Sequence, residues 1–260
     1  MYIIRNTGFY NRHMIFVAGG GFHGAKAVRM LKDRDTIVVA DINGECRAKK
    51  YVEYTIRSID HLPCIKYGSV LVIGDAPELF IKMIARNIIP EIVVPAIPRH
   101  FAGEVFKLFL ESRGYVVKPY SGDINEALFL FKMYGVHVKD DANEGVVVAS
   151  YMPLTLKCNL GCQEPYRCPV TGRIKPMPLH QLMYAAFSKV ADNTIVFISR
   201  LIAEGVGGFS GHLLYNTLKE LADFYGDSFS TAIATACSCH GVANLFSIER
   251  QPRATCPPDV

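Results

Sequence analysis

The 260-residue chain predicts an α/β architecture: a doubly wound parallel sheet in its first half and a second, smaller, cysteine-rich α/β lobe behind it. Three observations carry that expectation. From Met14 to about Tyr120, apolar β-rich runs alternate with helical patterns, the signature of parallel strands joined by crossover helices. The first apolar run passes through a glycine-rich turn directly into a helix. Most of the cysteines fall in two short segments of the second half.

Residues 1–13 are polar and patternless and are expected to form a disordered leader. Residues 14–140 read as the dinucleotide-binding domain, with strands at Ile15–Ala18, Thr36–Ala40, Val70–Ile73, Ile92–Ala96 and Tyr115–Val117 and helices near 24–33, 76–87 and 99–113. A short helical stretch from Asn125 to Met133 and the charged run Lys139-Asp140-Asp141 lead to a soft boundary. Residues 141–260 form the expected cysteine-rich lobe. It has a strand from Val146 to Met152, a turn-dense segment from Lys157 to Pro178, a helix at 179–190 and a strand at Thr194–Ser199; a glycine-rich loop, a helix at 212–225 and one strand-like stretch near 231–248 follow.

Composition excludes several classes. Half of the residues are hydrophobic and a fifth are charged, which fits a globular chain. Lys and Arg (28) exceed Asp and Glu (24) by only four, and the basic residues form no long run, so nucleic acid is not an expected partner. No apolar stretch approaches the length of a membrane span, and the start lacks the pattern of a secretory signal, so a cytoplasmic location is expected. In a reducing compartment the eight cysteines point to thiols, metal ligands or redox groups before disulfides.

After the first strand comes Gly19-Gly20-Gly21-Phe22-His23-Gly24, a GxGxxG pattern in Gly19, Gly21 and Gly24. The first glycine permits the tight turn, the second admits a pyrophosphate to the backbone, and the third lets the helix pack on the strand. The free amides of the helix start would hold the anion. The next strand ends in Asp41, 22 residues after Gly19, where a carboxylate anchors ribose hydroxyls and disfavours a 2′-phosphate; Arg47, nearby, complicates a preference for NAD over NADP. Asp75 follows another strand and reads as a helix cap. His100 falls at the carboxyl edge of the fourth strand, where it is either a ligand contact or a solvated residue at a helix start.

Gly19 to Gly24, Asp41 and Gly74-Asp75 resemble the Rossmann-like nucleotide-binding domains of saccharopine-dehydrogenase-like enzymes and potassium-uptake regulators. That resemblance covers about 110 residues and implies a fold and an NAD or NADP cofactor, without choosing between hydride transfer and nucleotide sensing.

Cys158, Cys162 and Cys168 lie in a C-x3-C-x5-C pattern in a loop bent by Gly161, Pro165, Pro169 and Gly172; Cys237 and Cys239, followed by His240, supply two further thiols far along the chain. Soft ligands in two segments suggest one shared site for an iron–sulfur cluster or zinc, with His240 as an additional ligand or acid. An electron-carrying cluster beside a hydride-carrying nucleotide makes chemical sense, so iron–sulfur is favoured. Buried free thiols and a redox disulfide are the competing readings. Cys46, Cys64 and Cys256 stand alone. The two cysteine segments together, Cys158 to Gly172 and Ala234 to Gly241, resemble an uncharacterised archaeal and bacterial family with a Rossmann-like N-terminus. That likeness implies that both segments belong to one architecture and brings no activity with it.

The second glycine-rich stretch, Glu204 to Gly211, reads as a connector or as an anion site at a helix start. Phosphate-loop, nucleophile-elbow, HExxH and kinase patterns are absent. The expected function is an NAD(P)-binding redox protein with a thiolate metal site; the alternatives are a non-catalytic nucleotide or redox sensor and a dehydrogenase with a structural zinc lobe. Its expected partners are a dinucleotide, a small-molecule substrate or electron-transfer protein, and a second copy of the chain.

Overall fold

The computed structural model describes residues 14–33, 35–65, 68–153, 155–224 and 226–251; the expected leader and Cys256 lie outside the described residues. The chain runs β1 (Met14–Ala18), α1 (Phe22–Leu31), β2 (Thr36–Asp41), β3 (Tyr54–Ile56), β4 (Ser69–Ile73), α2 (Ala76–Ala85), β5 (Ile92–Pro95) and α3 (Phe101–Ser112). It continues through β6 (Tyr115–Pro119), α4 (Asn125–Met133), β7 (His137–Asp141), β8 (Val146–Ser150), α5 (Leu179–Phe187) and β9 (Asn193–Ile198). The last elements are β10 (Arg200–Ala203), β11 (Val206–Ser210), α6 (Gly211–Phe224), β12 (Ser228–Ala236) and β13 (His240–Arg250). Short 3-10 turns at Arg47–Tyr51 and Ile59–Cys64 fill the β2–β4 connection.

Two mixed sheets result. The first has the order β10-β11-β5-β1-β2-β4-β3, in which β3, β4, β2, β1 and β5 are parallel and β10 and β11 are antiparallel additions. Every residue of β1 is buried, as a central parallel strand covered on both faces requires. Alternate residues serve opposite faces. Ile15, Val17, Ile37 and Val39 pack against Ala27, Val28 and Leu31 of α1. Phe16, Val38, Val70 and Val93 pack against α2, α3 and α6. Because α1 lies on one face and α2 and α3 on the other, the chain leaves β1 and β5 in opposite directions.

The second sheet has the order β7-β8-β13-β12-β9, and β6 lies beside the far half of β13, pairing Phe246 with Pro119 through Arg250 with Tyr115. One face, with Phe197, Ile233, Phe246 and Ile248, packs on the same core as α3. On the other face Ala232, Ala234 and Ala236 are small enough to let α5 approach, bringing in Leu182, Met183 and Phe187. Helix α3 therefore fills the layer between the sheets. Among the described residues, no helix is long and apolar enough to cross a membrane.

Three local expectations change. The stretch 204–211 is no connector: it is the β10–β11 hairpin, which adds to the first sheet. A Cβ at Gly208 would meet Ile92 Cγ2 at 2.8 Å, so glycine lets β11 approach β5 closely. The single strand near 231–248 is a hairpin, with Ala236 opposite Gly241 and the Cys237–Cys239 segment in its turn. The boundary placed between residues 140 and 141 falls inside β7, and the sheets interleave across it: β6 goes to the second sheet and β10–β11 return to the first.

His100 is not solvated. It is buried at the start of α3, with Nδ1 2.8 Å from Asn244 Oδ1 and Nε2 3.0 Å from Thr235 Oγ1. The amide oxygen only accepts, so Nδ1 carries the proton and Nε2 accepts from the threonine hydroxyl. Burial pushes the His100 pKa down to about 4. A neutral histidine with a depressed pKa contributes stability that is present above the ordinary imidazole range and is lost as pH falls toward the depressed value. Between pH 7 and pH 5 the protein is expected to lose roughly 2 kcal/mol more unfolding free energy than its His100→Gln variant, measured by urea denaturation; equal losses would rule out this histidine as the acid-sensitive group.

Candidate functional site

The glycine turn follows the carboxyl end of β1 and packs on the residues that follow β5. Gly19 takes φ +101°, and a Cβ there would meet Ala96 O at 2.8 Å. At Gly24 a Cβ would lie 1.8 Å from Gly19 O, so helix and turn meet in contact that no side chain permits. Gly21 caps α1 without a side-chain hydrogen bond, and a Cβ there would have nothing within 4 Å. Two of the three glycines are thus fixed by packing, and the third faces open space beside unpartnered helix-start amides. Asp41 braces the turn: Oδ2 accepts from Gly20 N at 2.6 Å and Oδ1 from Asn43 N at 2.8 Å. Asp75 caps α2, accepting from Glu78 N at 3.3 Å, and pairs with Arg99 at 2.8 Å.

Three cysteines of the loop and one of the hairpin come together. Cys158, Cys162, Cys168 and Cys239 line one small, mainly apolar cavity, completed by Tyr151, Met152, Pro165, Pro169, Val170 and Lys175. The loop is shaped by its own backbone. Cys168 N donates to Arg173 O at 2.8 Å and Gly172 N to Cys168 O at 2.8 Å, with Gly172 at φ +70°. Hydrogen bonds from Thr171, from its hydroxyl and then from its amide, hold the Cys168 thiol below its ordinary pKa. Burial, reinforced by neighbouring Cys162, pushes Cys158 up to about 11.

Glu164 ties the loop to the hairpin turn. It takes the left-handed φ +57°, uncommon for a side chain of its size. Its Oε2 accepts from Ser238 N at 2.8 Å, and its carbonyl accepts from Lys175 Nζ at 3.0 Å. Lys175, only 4% exposed, points its ammonium at Cys239 Sγ, 3.0 Å away. A hydrogen bond from Cys237, and then Lys175, lower the Cys239 pKa to about 6, while Cys237 is pushed up by that hydrogen bond and by burial. Cys239 is therefore the thiolate of the pair. Nothing in the sequence marks Lys175 or Glu164, since both lie among turn residues where charged side chains are ordinarily solvated.

Cys237 and His240 open toward a neighbouring, larger cavity of about 480 Å³, lined also by Ser150, Ser199 and Thr235. Cys237 Sγ accepts from the amides of Cys239 and His240, each at 3.3 Å, and lies 3.8 Å from His240 Nδ1. Burial, and then Lys175, depress the His240 pKa. The cysteine loop also reaches the first sheet: a methyl group at Gly205 would lie 2.5 Å from Lys26 Nζ of α1 and 3.0 Å from Leu160 Cδ2, between Cys158 and Cys162.

Four thiols from two segments are the donor chemistry of zinc or iron–sulfur sites. Among the described residues, however, no three His, Cys, Asp or Glu side chains are arranged closely enough to hold a metal ion as they stand. The donor set fits such a group; a bound ion would require the loop to tighten.

Fold and site define an α/β protein of two interleaved mixed sheets with a glycine turn and a cysteine-lined cavity. Two family models match it: one described as "Uncharacterized protein, N-terminal domain" over residues 14–101, and one as "Uncharacterized protein, C-terminal domain" over residues 133–249. An Archaeoglobus fulgidus protein, described as "Uncharacterized protein", is 31% identical over 231 residues, covering 88% of this chain and 97% of that relative. The chain belongs to this two-domain family.

Removing the Lys175 cation takes away a support of the Cys239 thiolate. In metal-free protein, Lys175→Met is expected to raise the midpoint of the lowest thiol titration by about one pH unit or more, read by ultraviolet thiolate absorbance; an unchanged midpoint would show that Lys175 does not hold that charge.

Proposed function

We propose that the chain is a redox protein with a Rossmann-like, doubly wound first sheet that binds a nicotinamide dinucleotide, beside a thiolate metal centre, iron–sulfur in preference to zinc. The observation that carries this reading is the meeting of Cys158, Cys162 and Cys168 with Cys239, distant in sequence, around one cavity next to the element that carries the glycine turn. The parallel order β4-β2-β1-β5 and the glycine turn between β1 and α1 support the nucleotide half.

The protein's own groups have distinct tasks in this reading. Gly21 and the first amides of α1 receive the pyrophosphate. Asp41 holds the turn open through Gly20 N. Cys158, Cys162, Cys168 and Cys239 hold the metal, which would supply one-electron chemistry next to a two-electron carrier. Lys175 offsets thiolate charge, and Tyr151, Met152, Pro165 and Pro169 keep water from the sulfurs. Cys237 and His240 face the larger cavity, where the imidazole is placed to move a proton to or from a bound substrate.

The first test is iron, zinc and acid-labile sulfide content, with an absorption spectrum, on protein purified without oxygen. Iron with sulfide, lost in Cys158→Ser/Cys239→Ser, is the expected result. Zinc would make the centre structural, and neither metal would overturn the metal half. For the nucleotide half, Gly21→Val is expected to abolish dinucleotide binding while costing the fold no more than about 1 kcal/mol, because its side chain enters open space and only the helix cap is weakened. Gly24→Val is expected to destabilise the fold by collision with Gly19. Dinucleotide binding by Gly21→Val with the affinity of the unaltered protein would remove the glycine turn from the site.

A further inference from the structure

A groove of about 320 Å³ runs between α1 and the Arg47–Tyr51 turn. Its walls carry Lys26 and Arg29 from the helix, Arg47 and Lys50 from the turn, and the rings of Phe22 and Tyr51. Among the described residues none of these four cations has a carboxylate partner, whereas Lys49 on the same turn is paired with Glu45. Arg47 lies over the Phe22 ring at 5.9 Å and Lys50 over the Tyr51 ring at 5.0 Å, so aromatic faces hold two of the heads in place. Four uncompensated like charges around one opening repel one another and make a site for an anion carrying more than one negative charge.

The groove adjoins the glycine turn. Ala48 N donates to Gly20 O at 2.8 Å, and Cys46 Sγ would lie 2.3 Å from a Cβ at Gly20. Gly20 N in turn donates to Asp41. The Arg47–Tyr51 turn is therefore fastened over the place where the end of β2 meets the phosphate loop. Asp41, the acid that would turn away a phosphorylated ribose, has both oxygens engaged by backbone amides. The pyrophosphate would take the amides at Gly21 and the tip of α1; the groove runs from Phe22 along one side of the helix through Lys26 and Arg29.

We propose that this groove receives a phosphate monoester, the 2′-phosphate of the dinucleotide, so that the protein selects NADP(H) over NAD(H). The proposal rests on the dinucleotide reading above. A dianionic monoester presents three oxygens to Arg47 and Arg29, whose planar forks match them in pairs, while Lys26 and Lys50 act as point charges.

The test is calorimetric titration of the full chain with NADPH, NADH and inorganic pyrophosphate, repeated with the Arg47→Ala/Lys50→Ala variant and at raised salt. NADPH is expected to bind at least about tenfold more tightly than NADH at low salt, the ratio shrinking as salt rises. In the variant the ratio is expected to fall about tenfold. Both substituted residues are exposed, so the variant is expected to keep the circular dichroism spectrum and unfolding midpoint of the unaltered chain. Equal binding of the two dinucleotides, or a ratio unchanged in the variant, overturns this proposal and leaves the dinucleotide reading standing. Binding of neither dinucleotide overturns both, and pyrophosphate binding in that case would show an anion site with another ligand.

Discussion

The constraint on which the rest depends is that the two sheets share a helix layer and exchange strands across it. Helix α3 is apolar over more than half of its circumference, with Phe101 and Phe106 fully buried and Glu104, Lys107 and Glu111 confined to one polar stripe. Such a helix is stable only if covered on both sides. Coverage comes from β1 and β5 on one side and from β6, β12 and β13 on the other. Its N-terminal residue must then be uncharged or paired: burial keeps His100 neutral, and Asn244 and Thr235 of the second sheet satisfy both ring nitrogens. The strands follow the same logic: β6 leaves α3 directly for β13, and β10–β11 close the open edge of the first sheet at β5.

This interleaving brings the two candidate sites together. If each half of the chain kept to its own sheet, the glycine turn and the cysteines would belong to units free to move apart. Because β11 pairs with β5, the β10–β11 turn lies against Lys26, and Leu160 of the cysteine loop packs on that turn at Gly205. The loop is anchored at its other side by Glu164 and Lys175 to the Cys237–Cys239 turn. The cysteine loop is therefore anchored from both sheets.

What the sequence discloses follows the range of the interaction. The β1–glycine–α1–β2–Asp41 run is local, each residue's role set by neighbours within about one βαβ unit, and it appears where the pattern places it. The grouping of cysteines is legible too, because three thiols in eleven residues are rarely independent. Which hairpin thiol joins them is not: Cys237 and Cys239 differ only in which way the β12–β13 turn rotates them, and that rotation is set by Glu164 and Lys175 from a loop more than sixty residues earlier. The β10–β11 hairpin is hidden for another reason. Gly207 and Gly208 read as flexibility until β5 is beside them, when their missing side chains become the condition for pairing.

Lys175 shows most directly what kind of chemistry the cavity has. Burying an ammonium costs several kcal/mol unless a fixed negative charge or a set of acceptors offsets it. Here the acceptors are one carbonyl, Glu164 O, and one sulfur, Cys239 Sγ. A neutral thiol is a weak acceptor and would leave the ammonium poorly compensated; a thiolate repays most of the desolvation. Lys175 therefore stabilises the Cys239 thiolate, and that thiolate compensates the buried ammonium. Cys168, held low by the amides and hydroxyl of its own loop, faces the same cavity. Within one cavity, a buried cation, a neighbouring S–H and loop hydrogen bonds hold Cys239 and Cys168 toward the thiolate, while burial holds Cys158 toward the thiol.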